Sequence, residues 1–127
     1  MNENELANII VDTAFQIHKN VGPGLLESVY EIILYGELKK KKINVERQRP
    51  IPIIYQEYEF IEGFRADLIV EDKIIIELKS VERIDKVHKK QLLTYLKLAD
   101  KKLGLLINFG SAFFKDGIFR VVNNLQE

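Results

Sequence analysis

The sequence predicts an α/β or α+β domain, a sheet with helices packed on it. Three observations predict it. Two stretches with helical periodicity fill the first third of the chain. The centre then changes to short β-branched and aromatic runs separated by polar pairs. A third helical stretch is followed by a continuous apolar run, the pattern of a buried strand. At 127 residues there is chain for one hydrophobic core, so residues 1–127 are read as a single domain.

The first helix is expected from about Asn4 to Asn20, where Leu6, Ile9, Ile10, Thr13, Ala14 and Ile17 recur at three- and four-residue steps. Val21-Gly22-Pro23-Gly24 stops it, because proline lacks a donor and glycine permits positive φ. A second helix is expected from about Leu26 to Lys41, with Val29, Ile32, Ile33, Tyr35 and Leu38 as its apolar positions. Lys39 to Lys42 end it at the negative pole of its dipole. Asn44 to Arg49 alternates weakly. Ile51–Tyr55 and Tyr58–Phe64 read as a hairpin about Gln56-Glu57, and Asp67–Val70 and Lys73–Lys79 as a second strand pair about Glu71-Asp72. The third helix is expected from about Ile84 to Leu98, a buried strand at Gly104–Phe109, and an edge strand at Ile118–Val122.

Composition excludes several function classes. Nineteen Lys and Arg balance nineteen Asp and Glu, so net charge alone steers no nucleic acid. There is no cysteine, which removes disulfides, thiolate zinc sites and thiol nucleophiles. Two histidines cannot make a three-histidine metal site. No apolar run approaches the ~20 residues of a membrane span. No signal-peptide pattern opens the chain, so the default expectation is a cytoplasmic protein without a membrane partner.

The segment Phe64 to Lys79 carries the chemistry. Side chains of a strand alternate, so Glu77 and Lys79 point one way and Ile76 and Leu78 the other. With the turn centred on Asp72, paired residue numbers sum to 144, and Asp67 falls opposite Glu77. Two carboxylates that close repel unless a cation lies between them, and Mg²⁺ or Mn²⁺ with oxygen ligands resolves the conflict. Lys79 is then placed to orient a water or to meet charge on a phosphate. The same residues are also compatible with a solvated salt-bridge ladder on an open sheet face, and a register slip of one would turn Asp67 away.

These residues resemble a known pattern. Asp67 and Glu77-Leu78-Lys79 look like the D…(D/E)-x-K signature of the PD-(D/E)XK nuclease superfamily. Gly24-Leu25-Leu26-Glu27-Ser28-Val29-Tyr30 reads G-x-x-E-x-x-Y. With Arg65-Ala66-Asp67-Leu68, Gln91 to Tyr95 and Gly104 to Phe109, the chain from about Ile9 to Val122 resembles the small prokaryotic GxxExxY family, grouped with RecB-like nucleases. The resemblance implies a restriction-endonuclease-like fold, with a mixed central sheet flanked by helices. It implies metal-dependent hydrolysis of phosphodiester bonds in nucleic acid, DNA in the first place, with Mg²⁺ or Mn²⁺ as cofactor. Asp67, Glu77 and the backbone carbonyl of Leu78 would bind the metal, Lys79 would be the catalytic lysine, and Glu27 would reach the metal directly or through water. Gln91 and Tyr95 match the Q-x-x-x-Y helix motif, and His18 matches an extra ligand on an early helix. Ala66 stands where the superfamily name has proline.

Each supporting residue keeps a plainer alternative. Glu27 suits the first turn of a helix dipole, and His18 suits a dipole partner or a core side chain. Tyr30 is expected to brace Glu27 or a neighbouring carboxylate through its hydroxyl. Arg65 suits either a carboxylate or a phosphate. His88, Gln91 and Tyr95 share one face of the third helix, next to an apolar face of Leu92, Leu93 and Leu96. Lys86, Lys89, Lys90, Lys97, Lys101 and Lys102 suit a nucleic-acid track or a solvated surface. The rival function is a non-cleaving module that keeps the nuclease fold. With zero net charge, a partner protein or a homodimer is expected to supply further binding surface.

Overall fold

Helix α1 (Glu3–Val21) opens the chain. Asn2 caps it by accepting from the Glu5 amide at 2.8 Å, while Glu5 accepts from the Asn2 amide at 3.1 Å. The computed structural model describes residues 1–126, with the side chain of Glu62 also outside the description. Helix α2 (Glu27–Lys40) follows, then strands β1 (Val45–Tyr55), β2 (Tyr58–Val70) and β3 (Ile74–Lys79). Helix α3 (Lys86–Ala99) crosses over to β4 (Leu103–Asn108), and a short 3₁₀ turn (Phe114–Gly117) leads into β5 (Ile118–Val122).

One five-stranded sheet runs in the order β1-β2-β3-β4-β5. All neighbours are antiparallel except β3 and β4, which are parallel because α3 carries the chain back across the sheet. The sheet is therefore mixed and flanked by helices, consistent with the expected restriction-endonuclease-like architecture. Among the described residues no helix is long and apolar enough to cross a membrane.

Alternation along the strands gives the sheet two apolar faces. Leu68, Val70, Ile74, Ile76, Leu78 and Leu105 pack beneath α1 and α2. Ile69, Ile75 and Leu106 pack against Leu92 and Leu96 of α3. The stripe expected for α1 is the buried one, from Leu6 to Ile17. Of the stripe expected for α2, Leu38 is buried and Ile33 and Tyr35 pack partly on the core. Tyr30, Glu31, Leu34 and Leu38 are buried, whereas Val29 and Ile32 are exposed. This helix carries apolar residues around most of its girth, so periodicity does not single out its inner face.

Four strands were expected before α3 and there are three. The segments 44–49 and 51–55 join as β1, and 58–64 and 67–70 join as β2. Pro50 and Pro52 do not interrupt β1, because it is an edge strand with no partner on its outer side. A bulge between Ile51 and Ile53 absorbs the extra residues of β2. Gly63 sits there because a Cβ would lie 2.1 Å from the Ile53 side chain.

The turn between β2 and β3 fixes the register that matters. Leu68 pairs with Ile76, Ile69 with Ile75 and Val70 with Ile74, so each pair sums to 144, as the sequence implied. Asp72 at its tip is held by Lys101 at 3.1 Å and Arg49 at 3.0 Å. The hydrogen bond from Lys101 keeps its carboxyl below the usual carboxylate range.

Candidate functional site

The ladder between β2 and β3 ends at the Leu68–Ile76 pair. Beyond it β2 stays with β1, while β3 continues beside β4. The Asp67 carboxylate enters the resulting gap and accepts from the backbone N–H of Leu78 at 2.8 Å. A side chain thus supplies the acceptor that the departing strand no longer provides. The N–H and C=O of one strand residue point to the same edge, so the Leu78 carbonyl is also aimed at the gap.

Asp67 is a point of reversal in its strand. Leu68 and Val70 face α1 and α2, yet Ala66 and Phe64 belong to the α3 side, with the same even numbering. The partner strand reverses in step. Gln48 stands across from Asp67 between the Arg47–Leu68 and Arg49–Ala66 pairs, and its φ is 51°, in the left-handed region. A non-glycine residue there is strained, and such strain is held only where neighbours determine it. The Gln48 amide donates to Asp67 at 3.2 Å and to Glu31 at 2.7 Å. Arg65 donates to the Gln48 carbonyl at 3.2 Å, and Arg47 pairs with Glu31 at 3.1 Å.

Glu77 completes the pair of carboxylates. It lies on the α3 side of β3, in line with Ile75, and interacts with both Asp67 and Lys79. Its Oε1 is buried and has no hydrogen-bond partner among the described residues. Burial first, and then the Asp67 charge, push the Glu77 carboxyl up to about 9, against the opposing pull of the Lys79 ammonium. Near neutral pH, without a cation, Glu77 therefore carries a proton. Among the described residues no group of three or more His, Cys, Asp or Glu side chains is arranged to hold a metal ion. Two carboxylates with an orphaned oxygen still fit Mg²⁺, which is commonly held by one or two carboxylates with water and phosphate filling the rest.

Helix α3 closes the far wall. Leu92 and Leu96 anchor it on the sheet, and Tyr95 stacks on Phe64 with centroids 3.8 Å apart and planes 8° apart. Desolvation raises the Tyr95 hydroxyl above its usual value, the Glu77 charge adds to this, and a hydrogen bond from Gln91 works the other way. Gln91 and Tyr95 thus meet on one face of α3, as their spacing suggested, and the Glu77 carboxyl lies near the Tyr95 hydroxyl. His88 is not part of this group through any hydrogen bond. Its Nδ1 accepts from the Asp85 amide at 3.3 Å and closes the first turn of α3.

Other expected residues do different work. The Tyr30 hydroxyl braces no carboxylate. It donates to the Gly22 carbonyl at 2.5 Å and accepts from the Leu25 amide at 3.2 Å, while its ring stacks on Phe109. It therefore holds the glycine-proline loop in place. Glu27 is exposed on the first turn of α2 and makes no hydrogen bond or ion pair with the carboxylate pair. Its loop does reach the site's edge, since Ser80 Oγ, one residue after Lys79, donates to the Leu25 carbonyl at 2.6 Å. His18 is buried, donates from Nε2 to the Ser111 carbonyl at 2.8 Å, and packs on Phe114. No hydrogen bond brings it to Asp67 or Glu77.

Three residues were not anticipated. Glu31 is the acidic residue of α2 that the hydrogen bonds tie to Asp67, through Gln48. Its signal was a charge inside a helix stripe that also contains Leu34 and Leu38. Gln48 had no signal, because its role comes from backbone reversal. Asn108 ends β4 beside Lys79 and is buried. It accepts from Val81 and Gly110 and donates to the Val81 carbonyl and Ser111 Oγ, which locks the chain leaving β3 to the chain leaving β4. A Cβ at Gly110 would meet the Val81 carbonyl at 2.3 Å.

A cavity of about 580 Å³ lies between α1 and β4–β5, under Phe15 and Phe114, on the opposite side of the sheet from Glu77. It is lined by none of the carboxylate-site residues. No curated protein and no solved structure matches this chain. Residues 4–121, however, match the sequence profile of a family described as the PD-(D/E)XK nuclease superfamily. That span includes the aspartate in the strand gap, the half-buried glutamate and the lysine two residues beyond it, and the chain belongs to the PD-(D/E)XK nuclease superfamily.

Proposed function

We propose that this protein is a divalent-cation-dependent nuclease that hydrolyses phosphodiester bonds, with DNA as its first-choice substrate. The observation that carries the reading is the Asp67–Glu77 pair, with one carboxylate oxygen buried and unpartnered. A structural ion-pair ladder would satisfy that oxygen, whereas a cation-binding pair leaves it available.

Asp67, Glu77 and the Leu78 carbonyl are the groups that would hold Mg²⁺ or Mn²⁺. When bound, the cation supplies Lewis-acid polarisation of a phosphate and a lowered pKa for water. The chain's own side chains set the rest. Lys79 follows Glu77 on the same side of β3 and offers an ammonium to a phosphate oxygen or to the attacking water. Asp67 is fixed by the Leu78 amide and Gln48, so it does not need to reorganise as charge develops. Gln91 and Tyr95 present donors on the α3 side, next to Glu77. Glu27 and Glu31 are the two acidic candidates on α2. Glu27 stands at the loop beside Ser80, and Glu31 acts on Asp67 through Gln48. Arg65 supports Gln48 from its carbonyl side. His18 is left as a buried structural side chain in this reading.

The test is incubation of the protein with labelled single- and double-stranded DNA in Mg²⁺ or Mn²⁺, beside an EDTA control. Cleavage that needs the cation and vanishes in Lys79→Ala is expected. Stable DNA binding without product in any cation would establish the non-cleaving module instead.

A further inference from the structure

Glu77 pairs with Leu106 across β3 and β4, and Leu106 pairs with Phe119 across β4 and β5. The three therefore form one row on the α3 side of the sheet. Two strand spacings, about 10 Å, separate its ends. At the Phe119 end lies a cavity of about 360 Å³. Glu82, Arg83 and Ile84 line one wall and Ser111 and Phe113 another. Both walls continue directly from the strands that end at Lys79 and Asn108, and the Asn108 side chain ties them together.

We propose that this cavity is a stacking subsite for one unpaired nucleobase of the substrate strand, with Phe113 as the stacking platform. The proposal rests on the nuclease reading of the neighbouring carboxylate pair and deepens it, since it names the substrate class as single-stranded or frayed nucleic acid.

Three observations support it. First, Phe113 is 68% exposed although it lines a cavity, so a large aromatic face is open to a planar partner. Aromatic stacking is the sequence-tolerant way to hold an unpaired base. Second, the charge of the cavity suits a base better than a phosphate. Glu82 and Asp116 line it together with Arg83, so it carries no cationic surplus. Their carboxylates are acceptors for the exocyclic amino groups of bases. A cation stands at the rim, where the Lys89 ammonium lies 4.0 Å from the Phe119 ring centroid. Third, the chain has no net charge, so net charge alone gathers no polyanion, and a base contact adds affinity that such steering does not supply. A base inside a duplex has both faces occupied by its neighbours, so only an unpaired one can use Phe113.

The chain has no tryptophan, so Phe113→Trp installs a single fluorescent reporter at the platform. The experiment uses the full chain in the Lys79→Ala background with Mg²⁺. The probes are a short dye-labelled single-stranded DNA of mixed sequence and the same backbone made fully abasic. The base-bearing strand is expected to quench the tryptophan in step with the rise in dye anisotropy. The abasic strand is expected to bind about tenfold more weakly without quenching. Phe113→Ala and Phe113→Leu should each bring the base-bearing strand down to the abasic affinity. Binding of both strands with equal affinity and no quenching overturns the subsite. The nuclease reading then stands or falls separately on cleavage by the unmodified chain. Absence of any strand binding also overturns the subsite, and absence of cleavage as well removes the reading beneath it.

Discussion

The Asp67 carboxylate takes the place of a strand, accepting the Leu78 N–H at 2.8 Å where β2 turns away from β3. That one contact sets the position of the acidic pair and aims the Leu78 carbonyl at the same gap. It also explains why a carboxylate sits here at low conformational cost, because a buried backbone donor would otherwise be orphaned.

The first consequence concerns pH. Glu77 has its folded-state value raised to about 9 from an ordinary value near 4.5, so the folded chain retains a proton that the unfolded chain releases. The stability this contributes is complete below about 4.5 and is lost as pH rises toward about 9. The slope approaches about 1.4 kcal/mol per pH unit for one proton. Metal-free urea denaturation between these limits should show the decline, and Glu77→Gln should flatten it. An unchanged slope in Glu77→Gln would assign the decline to other groups.

Gln48 acts on the site through Asp67. Gln48→Ala removes a hydrogen bond to the proposed ligand Asp67 and its link to Glu31, while Gln48 itself is not one of the groups that would hold the cation. Mn²⁺ affinity should fall about 10- to 100-fold, the usual range for a group that orients a metal ligand. Calorimetry with circular dichroism on the same sample separates this from unfolding. Unaltered affinity would mean that the Leu78 amide alone orients Asp67.

Tyr30 fastens the loop between α1 and α2. Tyr30→Phe leaves the Gly22 carbonyl and the Leu25 amide without their partner, at a cost of about 1–3 kcal/mol in denaturant unfolding. The shape of the ring, and its stack on Phe109, is retained. A loss under about 0.5 kcal/mol would show that solvent replaces the hydroxyl fully.

Asn108→Ala should be more severe. It removes four hydrogen bonds at a buried position and loosens both loops beside Lys79. A loss above about 2 kcal/mol is expected, together with faster amide exchange at Val81 and Gly110. Retained protection at those amides would contradict the locking role.

Much of this fold was legible from period and punctuation. The α1 stripe, the Gln56-Glu57 turn and the pairing about Asp72 follow from local rules, and β5 spans the residues expected of it. The inner face of α2 was illegible because that helix is apolar on several sides. The joining of 44–49 with 51–55 into β1 was obscured by prolines that an edge strand tolerates. At the proposed site, the juxtaposition of Asp67 with the Glu77 strand was readable from the pairing register, and that of Gln91 with Tyr95 from helix spacing. Glu31 showed only as a charge within an apolar helix stripe, and Gln48 and Asn108 were not readable, because their placement depends on a strand reversal and on loops meeting across the sheet. Such long-range placement leaves no periodic trace in the chain.

The central claim is that Asp67 and Glu77 hold one divalent cation, and the direct measurement is Mn²⁺ titration calorimetry of the unmodified chain and Asp67→Ala. Saturable binding in the first and its loss in the second, with the fold intact, is the predicted result. Equal binding by both proteins would contradict it.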